Sequence, residues 1–341
     1  MFDSDKVFVI AEAGVNHDGD LSKALQLVDV AADSGADAVK FQTFLPGECT
    51  GRHAFKTDYM KAGCPEDESR YELSCRLALP FESFVTLKQR CEEKGLLFLS
   101  TPDGNKSLNF LVDKLHVPAI KIASTEVTNI PFLQSIASQK LPIIFSTGLS
   151  TLGEVEAGLS AMRGMTKAPI VVLHCTTEYP APFDEINLRA MQTMARAFQV
   201  PVGFSDHSIG SAAAIAAVAL GAKVIEKHFT LSRAGGGPDH QASMEPDELK
   251  TYISSIRCTE LLLGNGIKQP TAAEERNRQS VRRSVVAAHT IPKGHSLTRE
   301  MLTCKRPGTG ISPAHIDTLV GFTLNRELQP DEVLTWEDIR K

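Results

Sequence analysis

Two histidines each stand at the end of a short apolar run: His207 follows VPVGFSD and His228 closes AKVIEKH. A pair of neutral imidazoles can hold a divalent ion and leave most of its coordination open to water and a substrate oxygen, as a Lewis-acid site requires. His174, in IVVLHC, is a third candidate, and any of the three can instead be a hydrogen-bonding scaffold residue. Asp206 and Glu226 sit close by in sequence, placed to orient the rings, to bind substrate, or to satisfy strand-end backbone groups. Lys40, Lys121, Thr101, Ser124 and Ser146 also end apolar runs. Two ammonium groups with several hydroxyls suit a small, multiply anionic ligand such as a phosphorylated carboxylate. A lysine such as Lys121 can alternatively form a Schiff base, the chemistry of an imine-forming aldolase, and a single serine or threonine can do no more than cap a helix.

Something must bring these ends together. Eight apolar runs, VFVIAE, DAVKFQ, LLFLST, PAIKIAS, PIIFST, IVVLHC, VPVGFSD and AKVIEKH, occupy the first 228 residues. Stretches of helical periodicity such as ALQLVDVAADSG and AAAIAAVALG separate them. Strand and helix in alternation imply a parallel sheet with crossover helices, and eight units close a (β/α)8 TIM barrel, whose active site lies at the strand C-termini. Glu12, Gln42 and Glu226 join the residues above on that rim. Residues 43–80 interrupt the alternation with a long segment on the site face, where such insertions are commonly functional. RAGGGPDH, past the eighth run, forms a polar loop carrying Asp239 and His240 over the mouth, or a plain connecting turn.

A length of 341 residues, 42% of them hydrophobic, suffices for one large core and a smaller second one. A net charge of −5 without a basic stripe argues against nucleic acid and anionic membranes as partners. No apolar stretch is long enough to span a bilayer and MFDSDK lacks a signal peptide's apolar segment, so a cytoplasmic location is expected. Seven cysteines without paired spacing fit reduced thiols. Domain boundaries are expected at 1–268 for the barrel, 269–283 for a polar linker, and 284–341 for a small β-rich module full of turn signals. CKRPGTG in that module sets Lys305 and Arg306 before a Pro-Gly turn.

Ten motifs then occur in order: IAEAGVNHDGD, VKFQTF, STPD, IKIASTEVTN, STGLST, HCTTEYPAP, GFSDHS, IEKHFT, GPDHQAS and KRPGTGI. Together they resemble the sialic acid synthase family over essentially the whole chain, the tail resembling that family's antifreeze-like (SAF, β-clip) module. The resemblance implies condensation of phosphoenolpyruvate with an N-acylated mannose-type sugar, assisted by Mn²⁺ or Mg²⁺, to give a nine-carbon 2-keto acid and phosphate by C–O cleavage. It implies a homodimer in which the tail of one chain reaches over the partner's barrel. By position it makes His207 and His228 metal ligands and gives the phosphate to Lys121, Thr101, Ser124 and Ser146. Lys40, Gln42 and Tyr179 fall to the carboxylate. Glu12, Glu126, Glu226 and Asp239 fall to the sugar and the reacting aldehyde, with Glu226 and Glu126 the candidates to stabilise charge or move protons, and Arg306 to the sugar's N-acyl group. STPDGNKS departs from the STPF of several members. For the acceptor, N-acetylmannosamine giving N-acetylneuraminate is placed first, and 2,4-diacetamido-2,4,6-trideoxymannose giving N,N'-diacetyllegionaminate is the alternative. The Schiff-base aldolase is the rival chemistry. Ice or carbohydrate binding by the tail has only fold likeness behind it.

Overall fold

The computed structural model describes residues 6–341, with the side chains of Ala62 and Gly63 left aside. The leader MFDSD, part of the targeting argument, lies outside the described residues. The chain divides into two compact units, the first ending at Gly264 and the second beginning at Asn265.

In the first unit the eight apolar runs become eight strands: β1 Phe8–Gly14, β2 Ala38–Thr43, β3 Leu97–Pro102, β4 Ile120–Ile122, β5 Ile143–Ser146, β6 Ile170–Cys175, β7 Val202–Asp206 and β8 Val224–His228. Every ladder between them is parallel, in the order β3-β2-β1-β8-β7-β6-β5-β4. β3 and β4 pack side by side and complete the TIM-type barrel. Helices cover the outside because their apolar stripes recur at helical spacing. Leu21–Asp33, for example, buries Ala24, Leu27, Val28 and Ala31 and is capped by the Asp20 carboxylate.

The barrel interior explains where the site must be. Strand side chains alternate between faces, so residues two apart point the same way. Ile10, Ala38, Leu99, Ala119, Ile144, Leu173 and Val224 form an apolar cluster inside the barrel. Counting two residues on from each gives Glu12, Lys40, Thr101, Lys121, Ser146, Cys175 and Glu226. The lower interior is therefore a plug of aliphatic side chains, and the next layer up is polar and ionisable. Gly203 supplies the plug layer on β7 with no side chain, because a Cβ there would meet the Val224 carbonyl at 2.3 Å and Leu173 Cδ2 at 2.6 Å. Its successors on that face, Ser205 and His207, belong to the polar layer.

Residues 43–80 carry three short helices, Pro46–Cys49, Asp58–Gly63 and Arg70–Leu77. Leu73 and Leu77 pack with Val15 and Phe44 in a small apolar cluster. In the second unit, part of the stretch expected as linker, Ala272–Val281, is helical, begun by a Thr271/Glu274 capping box and burying no residue. Thereafter β9 Ser284–Ala287 pairs antiparallel with β10 Leu302–Lys305. Eleven buried apolar side chains, among them Val285, Leu302, Leu324 and Leu334, form a separate core. All seven cysteines are free. Among the described residues no helix is long and apolar enough to cross a membrane.

Candidate active site

The polar layer opens into a cavity of about 680 Å³ at the C-terminal ends of the strands. Glu12, Lys40, Gln42, Thr101, Lys121, Ser124, Glu126, Ser146, Tyr179, His207, Glu226, His228 and Asp239 all line it. These are the residues expected on the rim, apart from His174, Asp206 and His240; Arg306, which the resemblance assigned to a partner's site, lies in the second unit, exposed, its Nε donating to the Val281 carbonyl at 2.9 Å.

At the centre are four buried charges. Lys40 Nζ stands 2.7 Å from Glu12 Oε2 and 3.7 Å from Glu226 Oε1, and it donates to Thr101 Oγ1 at 3.1 Å. Lys121 Nζ is 3.5 Å from Glu226 Oε1 and donates to the Ile122 carbonyl at 3.2 Å. Glu226 therefore faces both ammonium groups and Glu12 only one closely. Burial pushes Glu12 up to about 7 even against the pull of Lys40, with the Glu226 charge adding to the rise. Burial acts upward on Glu226 as well, but Lys121 and Lys40 outweigh it and hold that carboxylate below its ordinary range. Two neighbouring glutamates are thus split: near neutrality one carries a proton part of the time and the other is an anion. Burial also draws Lys121 below its ordinary value, while for Lys40 the Glu12 and Glu226 charges overcome burial and raise it.

Around the lysines are hydroxyls with unused capacity. Ser146 Oγ and Thr177 Oγ1 are buried without a hydrogen-bond partner in the protein, an arrangement that folding does not favour unless another molecule completes it. Gly148 makes room for them: its N–H donates to Ser124 Oγ at 2.9 Å, and a Cβ in its place would meet Thr177 Oγ1 at 2.1 Å.

Beside this cluster His207 and His228 meet edge to face, ring centroids 5.3 Å apart, with Tyr179 stacked on His207 at 4.1 Å. His207 Nδ1 lies 2.7 Å from the Thr176 carbonyl, so Nδ1 carries the hydrogen and Nε2 turns its lone pair to the cavity, with Ser205 Oγ 3.5 Å away. Burial would depress His207, but Cys175 and the Thr176 carbonyl outweigh it and hold the ring above its ordinary value. His228 Nδ1 is buried without a hydrogen-bond partner, 3.7 Å from Asp239 Oδ2. Burial, reinforced by His207, holds this ring well below its ordinary value and so keeps it neutral. Among the described residues no three His, Cys, Asp or Glu side chains assemble as a metal cage. Two imidazoles with free lone pairs, next to an ionised carboxylate, fit a divalent ion that shares its coordination with a substrate and water.

Three candidates prove to be scaffold. His174 lies on the outer face of β6, between inward Leu173 and Cys175, and its Nε2 is 2.6 Å from the Ile186 carbonyl. Asp206 lies on the outer face of β7 and is fully engaged with Ser208, Tyr252 and Lys227. His240, from the glycine-rich loop, pairs with Asp18 and Thr230. Strand parity alone places the first two outside. The same parity points Cys175 and Ser205 inward, although neither was singled out. Asp103, the departure in STPDGNKS, stands half-buried in the cavity wall, where burial and then Glu126 push its carboxyl up to about 7. Tyr59 and Arg70 reach the cavity from the insertion, whose sequence carries no periodic signal that would have found them.

Residues 27–268 match the NeuB family and residues 282–340 match the SAF domain. The chain is 44% identical to the N,N'-diacetyllegionaminic acid synthase of Legionella pneumophila, over 97% of this chain and 94% of that one. It is equally 44% identical to the synthase of the same name from Campylobacter jejuni, over 96% and 99%. The crystal structure of the N-acetylneuraminic acid synthetase of Leptospira borgpetersenii, in complex with citrate, superposes with a TM-score of 0.69 at 35% identity, covering 80% of this chain and 90% of that one. With the greater part of the barrel and the β-rich tail both matched, this chain belongs to the NeuB family and carries a C-terminal SAF domain.

Proposed function

We propose that the protein condenses phosphoenolpyruvate with 2,4-diacetamido-2,4,6-trideoxymannose and water to give N,N'-diacetyllegionaminate and phosphate. The observation that carries the reaction class is the buried Lys40, Lys121, Glu12 and Glu226 cluster beside two ligand-ready histidines. The acceptor departs from the order in which the motifs alone placed the two sugars: relatives named for legionaminate stand at 44% identity, against 35% for a solved structure named for N-acetylneuraminic acid.

In this reading Lys121, with the hydroxyls of Thr101, Ser124 and Ser146, holds the phosphate, while Lys40, Gln42 and Tyr179 hold the carboxylate. Charge-assisted bonds in a buried site are strong, and an incoming dianion competes with Glu12 and Glu226 for the two ammonium groups. His207 and His228 hold Mn²⁺ or Mg²⁺, which when bound acts as a Lewis acid on the acceptor's aldehyde oxygen. Glu226, ionised, faces the positive charge that develops at C2 of phosphoenolpyruvate as C3 forms the new bond. Glu12 gives its proton to the former aldehyde oxygen, the role its raised pKa suits. Water adds at C2 and returns a proton to the ionised Glu12, and the resulting tetrahedral centre loses phosphate by C–O cleavage, its hydroxyl proton leaving with the phosphate as the ketone forms. Asp239 and Glu126 orient the sugar, Glu126 from the rim, where it accepts from the Asn129 amide at 2.6 Å.

A proton donor near 7 has a kinetic consequence. With Glu12 protonated below about 7 and ionised above, kcat/KM for the sugar falls as pH rises through that value. Glu12→Gln, unable to donate, is expected to lose about 10²- to 10⁴-fold in kcat and to flatten that limb. A pH profile of Glu12→Gln with the same descending limb would assign the proton to another group.

The same reading makes the protein a homodimer whose SAF domain brings Arg306 to the N-acyl group of sugar bound in the partner's barrel. What supports it is the family membership and an exposed guanidinium on the tail. Arg306→Ala is expected to raise the sugar KM by about tenfold or more and leave the phosphoenolpyruvate KM nearly unchanged, the loss of one charge-assisted hydrogen bond. Equal increases in both constants would contradict a sugar-specific contact.

A further inference from the structure

His207 and His228 end adjacent strands, and the residues beside them turn their side chains away from the cavity into a second, hidden network. Asp206 of β7 and Lys227 of β8 are paired in the ladder. Lys227 Nζ lies 3.4 Å from Asp206 Oδ2 and also donates to the Ser208 carbonyl. Asp206 Oδ1 accepts from the Ser208 N–H at 2.9 Å and its hydroxyl at 2.6 Å, while Oδ2 accepts from the Tyr252 hydroxyl at 2.8 Å. Tyr252 belongs to the helix Pro246–Leu263, and the Lys227 ammonium sits 5.7 Å from its ring centroid. All four side chains are buried to within 1% exposure, and none lines the cavity.

Stability alone is a poor reason for such a network. Apolar side chains of similar volume in place of a buried ion pair are often neutral or stabilising, because desolvation offsets the attraction. What an ionic network offers in addition is a single geometry, since each partner accepts only a few directions. Here the directions converge on the strand ends. Asp206 and Ser208 bracket His207 in sequence, and Glu226 and His228 bracket Lys227. One lysine therefore ties the backbone on the far side of His207 to the strand that carries His228, and Tyr252 ties both to the outer helix.

We propose that Asp206, Lys227 and Tyr252 are positioning residues that fix the β7 and β8 ends relative to each other, and with them the spacing and ring angle that His207 and His228 offer to a divalent cation. The inference rests on the reading of those two histidines as metal ligands. Groups hydrogen-bonded directly to metal-binding histidines typically change metal affinity by about 10- to 100-fold when removed, and this network, which holds the strand ends rather than the rings, is expected at the low end of that range.

The test uses the full-length protein, stripped with EDTA, as wild type, Tyr252→Phe, Lys227→Met and His207→Ala. Each is titrated with Mn²⁺ by electron paramagnetic resonance, and its metal-free melting curve is recorded. Tyr252→Phe is expected to bind Mn²⁺ about tenfold more weakly, with an altered bound-ion spectrum, and Lys227→Met more weakly still. Wild-type Mn²⁺ affinity and spectrum in Tyr252→Phe, whatever its melting temperature, would overturn the proposal and leave the network a purely structural one. Should Lys227→Met fail to fold, Tyr252→Phe decides, since it keeps the ring and removes one hydroxyl. Failure of the underlying reading is seen separately: no Mn²⁺ uptake by the wild type, or uptake by His207→Ala as tight as wild type, removes the metal assignment and this proposal with it.

Discussion

His207→Ala is expected to lose metal-dependent turnover by roughly 10³-fold or more, because a Lewis acid on a reacting carbonyl supplies several kcal/mol of charge stabilisation. The fold should survive. The His207 ring makes one hydrogen bond to the backbone, at the Thr176 carbonyl, and losing it costs about 1 kcal/mol, while the His207 carbonyl still accepts from the Ala181 N–H. Circular dichroism and thermal melting of the metal-free variant therefore separate the two effects: near-native melting with abolished turnover supports the ligand role. Full activity in a folded His207→Ala enzyme would remove His207 from the chemistry.

Lys121→Met carries the second large effect. Its ammonium is fully enclosed, faces Glu226, and in this account holds the phosphate of phosphoenolpyruvate. Truncating one partner of a buried charged pair costs about 2 to 5 kcal/mol, roughly 30- to several-thousand-fold in kcat/KM for phosphoenolpyruvate. Part of that loss arises because Glu226 keeps one ammonium, Lys40 at 3.7 Å, in place of two. Steady-state kinetics with each substrate varied in turn locates the loss, expected in the phosphoenolpyruvate terms and little in the sugar KM. The same residue tests the imine alternative, since a lysine with a lowered pKa is also what Schiff-base chemistry uses. Borohydride with pyruvate is expected to leave Lys121 unmodified; an adduct there would reinstate the aldolase.

How much of this was legible in the chain depends on which physical rule spoke. The eight runs are near-continuous apolar strings because strands of a parallel barrel are buried on both faces, and that made the architecture readable. A polar residue ending such a string pointed to the rim, and so Lys40, Lys121 and Glu226 were found. Run ends alone do not say which face a residue takes. His174 and Asp206 were weighed on run-end position and sit on the outer face, whereas Cys175 and Ser205 share the parity of Leu173 and Gly203 and line the cavity. Counting in twos from the aliphatic plug would have sorted all four. Tyr59 and Arg70 follow no such rule, because the insertion reaches the site through short helices whose placement depends on tertiary packing. The split between Glu12 and Glu226 was equally out of reach, being set by distances to Lys40 and Lys121 that only the folded barrel defines. The helix at Ala272–Val281 lay within a stretch whose polarity suggested a linker, yet AAEERNRQSV consists mostly of good helix formers behind a capping threonine.

Phosphate release from phosphoenolpyruvate with Mn²⁺, measured in parallel with 2,4-diacetamido-2,4,6-trideoxymannose and with N-acetylmannosamine, each with an EDTA control, tests the central claim most directly. The account predicts EDTA-sensitive release with the diacetamido sugar and much slower release with N-acetylmannosamine, since a site built to bond a second acetamido group at C4 rejects a sugar that carries a hydroxyl there. Faster release with N-acetylmannosamine would contradict the acceptor assignment, and no release with either sugar would contradict the reaction itself.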